Sequence, residues 1–268
     1  MPESLQSYFD FLTETAFLAG RSTLTHFQTG VQAEFKADHT PVTLADKGAE
    51  QLIRRRIEQR YPGHAIVGEE FGDDLQTSAT HRWIIDPIDG TKAFLRGVPL
   101  YATLLGLEIE GRVEVGAAYF PALDEMLAAA TGLGCWWNGR RAHVSSVPSL
   151  AEAWVAFTDP GSFERHGRAR QFQCLQAAAY HRAGWSDAYG YLLAATGRVE
   201  VMLDPIMAVW DCGPFPPIFR EAGGYFGDWQ GQETIYNLEA LATTQTLLPE
   251  VLELLNGTSE DETTDKHG

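Results

Sequence analysis

Trp83-Ile84-Ile85-Asp86-Pro87-Ile88-Asp89-Gly90-Thr91 puts two carboxylates, a hydroxyl and turn backbone within nine residues. The apolar run Trp83–Ile85 reads as a buried strand. Asp86-Pro87 is expected to end it, because proline has no N–H for a sheet. Asp89-Gly90 then turns the chain, and a helix is expected from Thr91 to Leu95. Carboxylate and carbonyl oxygens suit Mg2+. Exposed N–H groups at a helix start suit phosphate. Taken alone, Asp86 or Asp89 would be an ordinary turn or cap residue. Together they suggest metal-assisted phosphate chemistry.

Composition narrows the class. The 268 residues carry a formal net charge of -16, with 44% hydrophobic and 21% charged residues. That suits a soluble globular protein with a sizeable core. Such charge argues against nucleic acid as a bulk partner, whose phosphates would be repelled. A small phosphorylated substrate stays possible, since a bound cation inverts the local charge. Cys135, Cys174 and Cys212 fit neither a disulfide framework nor a zinc cluster, and are expected to be reduced thiols in a cytoplasm. No signal peptide and no membrane span are expected, hence no membrane partner.

The elements that must position these residues follow from periodicity. Helices are expected over Leu5–Phe27 and Thr43–Arg60, with a loop or hairpin at Gln28–Pro41. Strands are expected at Ala65–Val67, Tyr101–Glu108, Val113–Tyr119 and Glu125–Thr131, and a turn at Gly132–Gly134 leads into Cys135-Trp136-Trp137. Glu110-Gly111 and Asn138-Gly139 supply turns. Asp73–His81 reads as a polar surface loop. A subdomain boundary is expected near residue 146. Beyond it, strands at Trp154–Phe157, Tyr180–Arg182 and Val199–Leu203 alternate with helices at Arg168–Ala178, Ala188–Thr196 and Pro214–Ala222. Residues 257–268 are polar, acidic and periodless, and a disordered tail is expected. No internal repeat is present.

Asp86-Pro87-Ile88-Asp89-Gly90-Thr91 resembles the metal-binding motif of the inositol monophosphatase family. Gly68-Glu69-Glu70 upstream, and Trp210-Asp211 with Glu221-Ala222-Gly223-Gly224 downstream, agree in order and spacing. The resemblance implies an α/β fold, a layered α-β-α-β-α sandwich in two subdomains (residues 1–146 and 147–256). It implies a Mg2+-dependent, lithium-sensitive phosphatase. Glu69, Asp86, the Ile88 carbonyl, Asp89 and Asp211 match the metal ligands. Thr91 resembles the threonine that, with an acid matched by Asp46, activates the attacking water. Gly90 and Thr91 would hold the phosphate, and Lys36 falls where the family has a mobile lysine. No phosphoenzyme is implied, since no nucleophilic Ser, Cys or His is matched. A homodimer is the expected assembly, carried over from relatives.

Arg182-Ala183-Gly184-Trp185-Ser186-Asp187-Ala188-Tyr189-Gly190 resembles the histidinol-phosphate phosphatase branch. Its substrate carries an ammonium and an imidazole. Asp187 and Asp204 could pair with these, and Trp185 could pack on a ring, with Arg182 nearby. Alternatively Trp185 is core and Asp187 a helix cap. Histidinol phosphate, an intermediate of histidine biosynthesis, is the preferred substrate. Inositol phosphate, a sugar phosphate or a 3′-phosphonucleotide are the alternatives, and a catalytically silent relative is the rival from another class. One departure is local: Cys212-Gly213-Pro214-Phe215-Pro216-Pro217 predicts a delayed or irregular helix start.

Overall fold

Ser4 and Thr43 start the two helices of the outermost layer. The Ser4 hydroxyl accepts from the Ser7 N–H, and the Thr43 hydroxyl accepts from the Ala45 N–H. The structure is a computed structural model that describes residues 3–35, 41–73, 79–185 and 187–257. Lys36 and residues 258–268 of the acidic tail lie outside the described residues.

In the first half, α1 (Leu5–Thr23) is followed by β1 (Glu34–Phe35), β2 (Pro41–Val42) and α2 (Leu44–Arg60). Next come β3 (Ala65–Gly68), β4 (Gly72–Asp73), β5 (His81–Asp89) and the short α3 (Thr91–Leu95). β6 (Ala102–Ile109), β7 (Arg112–Phe120), β8 (Glu125–Ala130), β9 (Gly134–Trp137) and β10 (Arg140–Arg141) complete an eight-stranded sheet of order β10-β9-β8-β7-β6-β5-β3-β4. The second half supplies β11 (Trp154–Phe157), α4 (Pro160–Arg165), α5 (Ala169–Ala178), β12 (His181–Gly184), α6 (Asp187–Ala195) and β13 (Val201–Asp204). It ends with α7 (Val209–Cys212), α8 (Phe215–Ala222), β14 (Gly224–Gly227), β15 (Ala240–Thr244) and α9 (Leu248–Asn256). Its five-stranded sheet has the order β12-β11-β13-β15-β14.

Strand alternation fixes the layers, because successive side chains face opposite sides of a sheet. Trp83, Ile85, Leu105, Leu107, Val115 and Ala117 point to one side and bury against Leu12, Ala16, Ile53 and Ile57 of α1 and α2. Ile84, Leu104, Ala118 and Phe120 point to the other, against Tyr191 and Leu192 of α6 and Phe215, Ile218 and Phe219 of α8. The same helices cover Met202, Phe226, Ala240 and Ala242 of the second sheet. Its far side, with Val155, Phe157, Val201, Leu203 and Leu241, buries Phe172 and Leu175 of α5 and Val251 and Leu255 of α9. The order is helix, sheet, helix, sheet, helix, as the resemblance implied.

Two differences from the sequence-based expectation matter. α1 stops at Thr23 rather than Phe27, and Phe27 leaves the helix line to pack on Phe94 and Tyr101 under α3. Pro87 does not end its strand. β5 runs on to Asp89 through an irregularity: Asp86 pairs with Leu104 and Asp89 with Ala102, so β5 carries one extra residue. A bulge tolerates proline because a ladder bond is already missing there. The Pro87 carbonyl still finds a partner, accepting from the buried Thr103 hydroxyl at 2.8 Å.

The proline-rich stretch behaves as its composition predicts. α7 ends at Cys212, and α8 restarts at Phe215. The joint lies directly on the first sheet. A Cβ on Gly106 would sit 2.4 Å from the Gly213 carbonyl oxygen, and one on Gly116 2.1 Å from that of Pro214. Gly106 and Gly116 are cross-strand partners in β6 and β7. The pair leaves a bare patch of sheet on which the α7–α8 joint rests.

Candidate metal centre

In a regular strand, residues three apart face opposite sides. The extra residue of the bulge cancels that, and Asp86 and Asp89 point the same way. Asp211 enters from α7, set over the sheet by the joint on Gly106 and Gly116. One carboxylate oxygen from each of Asp86, Asp89 and Asp211 lies within 4.8 Å of the others. Two of the acids also have structural anchors. Asp211 Oδ2 accepts the Ala208 N–H at 2.8 Å, so it caps α7 and joins the cluster at once. Asp89 Oδ2 accepts the Ala188 N–H at 2.7 Å, from the first turn of α6.

Glu69 follows β3, which runs parallel to β5. The Glu69 N–H donates to the Ile85 carbonyl at 3.2 Å, beside Asp86. Crowding and burial oppose ionisation. Burial first, then the neighbouring Glu69, Asp89 and Asp211 charges, hold the Asp86 carboxyl well above the usual carboxylate range. Asp89 is raised likewise by burial, with Asp187 and Asp211 beside it. Asp211 is pushed up to about 6, chiefly by burial, against the Ala208 N–H bond that lowers it. Asp86 Oδ1 is buried with no hydrogen-bond partner. An orphaned acceptor among like charges is costly unless a cation completes it. The donors are all oxygens, the set a hard divalent cation takes. The residues therefore fit a Mg2+-type ion.

Thr91 opens α3 after Gly90, whose left-handed backbone (φ 81°) makes the corner. The Thr91 hydroxyl lies 3.3 Å from Asp46 Oδ1 and 3.1 Å from the Ile88 carbonyl oxygen. Its one proton can go to either. Asp46 is held by α2, where its Oδ2 accepts both the N–H and the hydroxyl of Thr43. Burial raises the Asp46 carboxyl. The Ile88 side chain is core, against Ala45, Phe94 and Tyr101. Only its carbonyl is available to the site.

A cleft of about 600 Å³ opens over the cluster, lined by Glu69, Asp89 and Asp211 at one end and by α4 at the other. Asp187 and Asp204 both line it. Asp187 opens α6 with φ 49°, a left-handed conformation that Asp tolerates. A Cβ built on Gly90 would meet Asp187 Oδ2 at 2.9 Å, so this carboxylate stands directly against the Gly90 corner. Asp204 accepts the Thr158 N–H at 3.2 Å and the Tyr191 hydroxyl at 3.0 Å. Burial pushes its carboxyl up to about 7.

The structure does not bring Arg182 and Trp185 into the cleft. Trp185 stacks on Trp154, ring centres 6.0 Å apart, and packs on the central core. Arg182 is exposed on edge strand β12, donating to the Ala179 carbonyl at 3.2 Å. β12 pairs with β11 at the rim of the second sheet, with Arg182 opposite Val155, and Trp185 follows directly after the strand. Sequence reasoning missed Lys92, Thr158, Asp159 and Arg165, which line the cleft. Arg165 pairs with Asp159 at 2.5 Å and holds its carboxyl below the usual range. The signal for Asp159 is the one at Asp86, an apolar run followed by Asp-Pro. It recurs at Asp204-Pro205.

A bulged strand delivers paired aspartates to a cleft between two sheets, an oxygen-rich site of the kind suited to metal-assisted phosphate chemistry. The profile of the inositol monophosphatase family matches residues 4–263. The chain is 41% identical to a histidinol-phosphatase of Chlorobaculum parvum over 86% of its length and 89% of the relative's. It is 35% identical to a histidinol-phosphatase of Mycobacterium tuberculosis, covering 93% and 99%. The solved inositol monophosphatase of Zymomonas mobilis superposes with a TM-score of 0.85 at 30% identity, covering 95% and 99%. The chain belongs to the inositol monophosphatase family.

Proposed function

We propose that the protein is a Mg2+-dependent phosphomonoesterase that hydrolyses L-histidinol phosphate to L-histidinol and phosphate. The observation that carries this reading is the placement of Asp187. Its carboxylate stands against Gly90, next to the Asp86–Asp89–Asp211 cluster. In histidinol phosphate the ammonium and the ester oxygen sit on adjacent carbons. A carboxylate beside the phosphate end is therefore where that ammonium would fall. Inositol phosphate has only hydroxyls there. The histidinol-phosphatase relatives support the same choice.

Glu69, Asp86, Asp89, Asp211 and the Ile88 carbonyl would hold the ion. Bound Mg2+ supplies positive charge that offsets the phosphoryl oxygens and acidifies a water. The chain's own residues do the rest. Gly90 and Thr91 receive the phosphoryl oxygens at the start of α3. When the Thr91 hydroxyl donates to Asp46, its oxygen is left to accept from the attacking water and orient it. Water adds to phosphorus, the ester P–O bond breaks, and the alcohol leaves with a proton. Asp204, beneath the organic half of the substrate, becomes ionised when the cation arrives.

Several finer points belong to the same reading. Lithium inhibition and a homodimer follow from the family resemblance. A cytoplasmic location is supported by the unpaired cysteines. The net charge of -16 supports a small-molecule substrate rather than nucleic acid. Among the described residues no helix is long and apolar enough to cross a membrane. The division at residue 146 is supported by the two sheets, one before and one after it.

The test is phosphate release from a panel of histidinol phosphate, inositol 1-phosphate, a sugar phosphate and a 3′-phosphonucleotide, with Mg2+ and with chelator. Release that needs Mg2+ and favours histidinol phosphate is expected. Release unaffected by chelator would remove the metal from the mechanism.

A further inference from the structure

We propose that Glu50 is a positioning residue for the metal centre, acting through the turn that carries Glu69; this rests on the metal reading above. Glu50 is fully buried on α2, one helical turn after Asp46. A buried acid on the inner face of a helix is expensive unless its oxygens are occupied. Both are. Oε2 accepts the Glu70 N–H at 2.8 Å. Oε1 accepts the Phe71 N–H at 3.3 Å and the Arg54 Nε at 2.8 Å. Arg54 then donates through Nη2 to the Gly72 carbonyl at 2.5 Å.

The pair thus grips three consecutive residues, 70 to 72, directly after Glu69. On the other side, the Glu69 N–H is fixed to the Ile85 carbonyl at 3.2 Å. Glu69 is suspended between the strand that bears Asp86 and the α2 acid. The fit is tight: a Cβ on Gly68 would lie 2.1 Å from Glu50 Oε1. α2 therefore sets two parts of the site with acids four residues apart. Asp46 orients Thr91, and Glu50 sets the Glu69 turn. Loosening the turn should weaken ion binding more than it slows chemistry at a saturated site, as for other residues that orient ligands.

The experiment compares Glu50→Gln with Arg54→Met in the full chain. Glu50→Gln replaces one acceptor with an NH2 that must face a donor. Arg54→Met removes the guanidinium but leaves the Glu70 and Phe71 N–H bonds. Mg2+ binding is measured by calorimetry, at a temperature where circular dichroism shows each variant folded. Wild type is titrated first. The half-saturating Mg2+ for phosphate release is measured alongside. Glu50→Gln is expected to raise the Mg2+ Kd about 10- to 100-fold. Its kcat at saturating Mg2+ should stay within about threefold of wild type. Arg54→Met should lower Tm while leaving the Mg2+ Kd within about threefold. Equal Kd shifts in the two variants, or none in Glu50→Gln, would overturn the proposal as a merely structural role. Wild type failing to bind Mg2+ would overturn the metal reading and this proposal together.

Discussion

The Ala188 N–H donates to Asp89 Oδ2 at 2.7 Å, and so the first turn of α6 is tied to the end of β5. The bond joins the first sheet to the central helical layer at the point where the acids converge. It also gives Asp89 a donor at a helix N-terminus, which favours its charge. Burial and the neighbouring Asp187 and Asp211 carboxylates outweigh that bond, and the Asp89 carboxyl stays raised.

Asp89→Asn should keep the Ala188 bond through its carbonyl oxygen and lose the charge. Turnover at saturating Mg2+ should fall at least about 100-fold, since a ligand matters no less than its supporting shell. The metal-free protein should be no less stable, because a charge leaves a like-charged cluster. Steady-state kinetics and thermal melts in chelator check both. Near wild-type turnover would remove Asp89 from the ligand set.

Asp204 gives a pH signature. Its folded carboxyl titrates at about 7, above the ordinary value of 3.8, because it is buried. Between those values the unfolded chain has lost the proton and the folded chain keeps it. The contribution to stability is therefore full below about pH 4 and is lost as pH rises to about 7, at roughly 1.4 kcal/mol per unit. Asp204→Asn lacks this term. The stability of wild type relative to Asp204→Asn should fall from pH 4 to pH 7 and level off above. Denaturant titrations of both proteins in chelator measure it. A pH-independent difference would mean that Asp204 is ionised throughout.

Gly106 and Gly116 should tolerate no side chain. An added Cβ would meet the Gly213 or Pro214 carbonyl below van der Waals distance. Gly116→Ala should cost about 1–3 kcal/mol, the usual penalty of overpacking. It should also raise the half-saturating Mg2+ by shifting α7 and Asp211. Thermal melts and Mg2+ titration check the pair of effects. An unshifted metal response would separate the joint from the site.

Much of this arrangement is legible in the sequence, and the exceptions share a cause. Apolar content marks α2, β6, β7 and α6: α2 buries one face, and β6, β7 and α6 are apolar on both because each lies between two layers. Asp86, Asp89 and Asp211 are legible as a motif, yet their convergence is not. It depends on one bulged residue at Pro87-Ile88 and on two glycines in distant strands. Proline suggests a strand end unless the missing ladder bond is known. Trp185 and Arg182 lie in the stretch that resembles the histidinol-phosphate phosphatase branch, with a core Trp185 as the alternative reading. The rim position of β12 decides the outcome, with Trp185 after it stacked on Trp154 and Arg182 exposed. β14, β15 and α9 escape the periodicity-based assignment. β15, with Ala240 to Thr244 all buried, shows no alternation to read.

Asp187→Asn should narrow the preference for a cationic substrate. A charge-assisted hydrogen bond is worth about 1.5–3 kcal/mol, or roughly one to two powers of ten in kcat/KM. The rate on inositol 1-phosphate should change less. Kinetics on both substrates decide it, and an unchanged ratio would assign Asp187 a purely structural place at the start of α6.

The ratio of kcat/KM for histidinol phosphate to that for inositol 1-phosphate, measured on the wild-type protein in Mg2+, tests the proposed function most directly. A ratio well above ten is predicted, with both activities lost in chelator. A ratio below one would contradict the substrate assignment, and no phosphate release from either in Mg2+ would contradict the phosphatase itself.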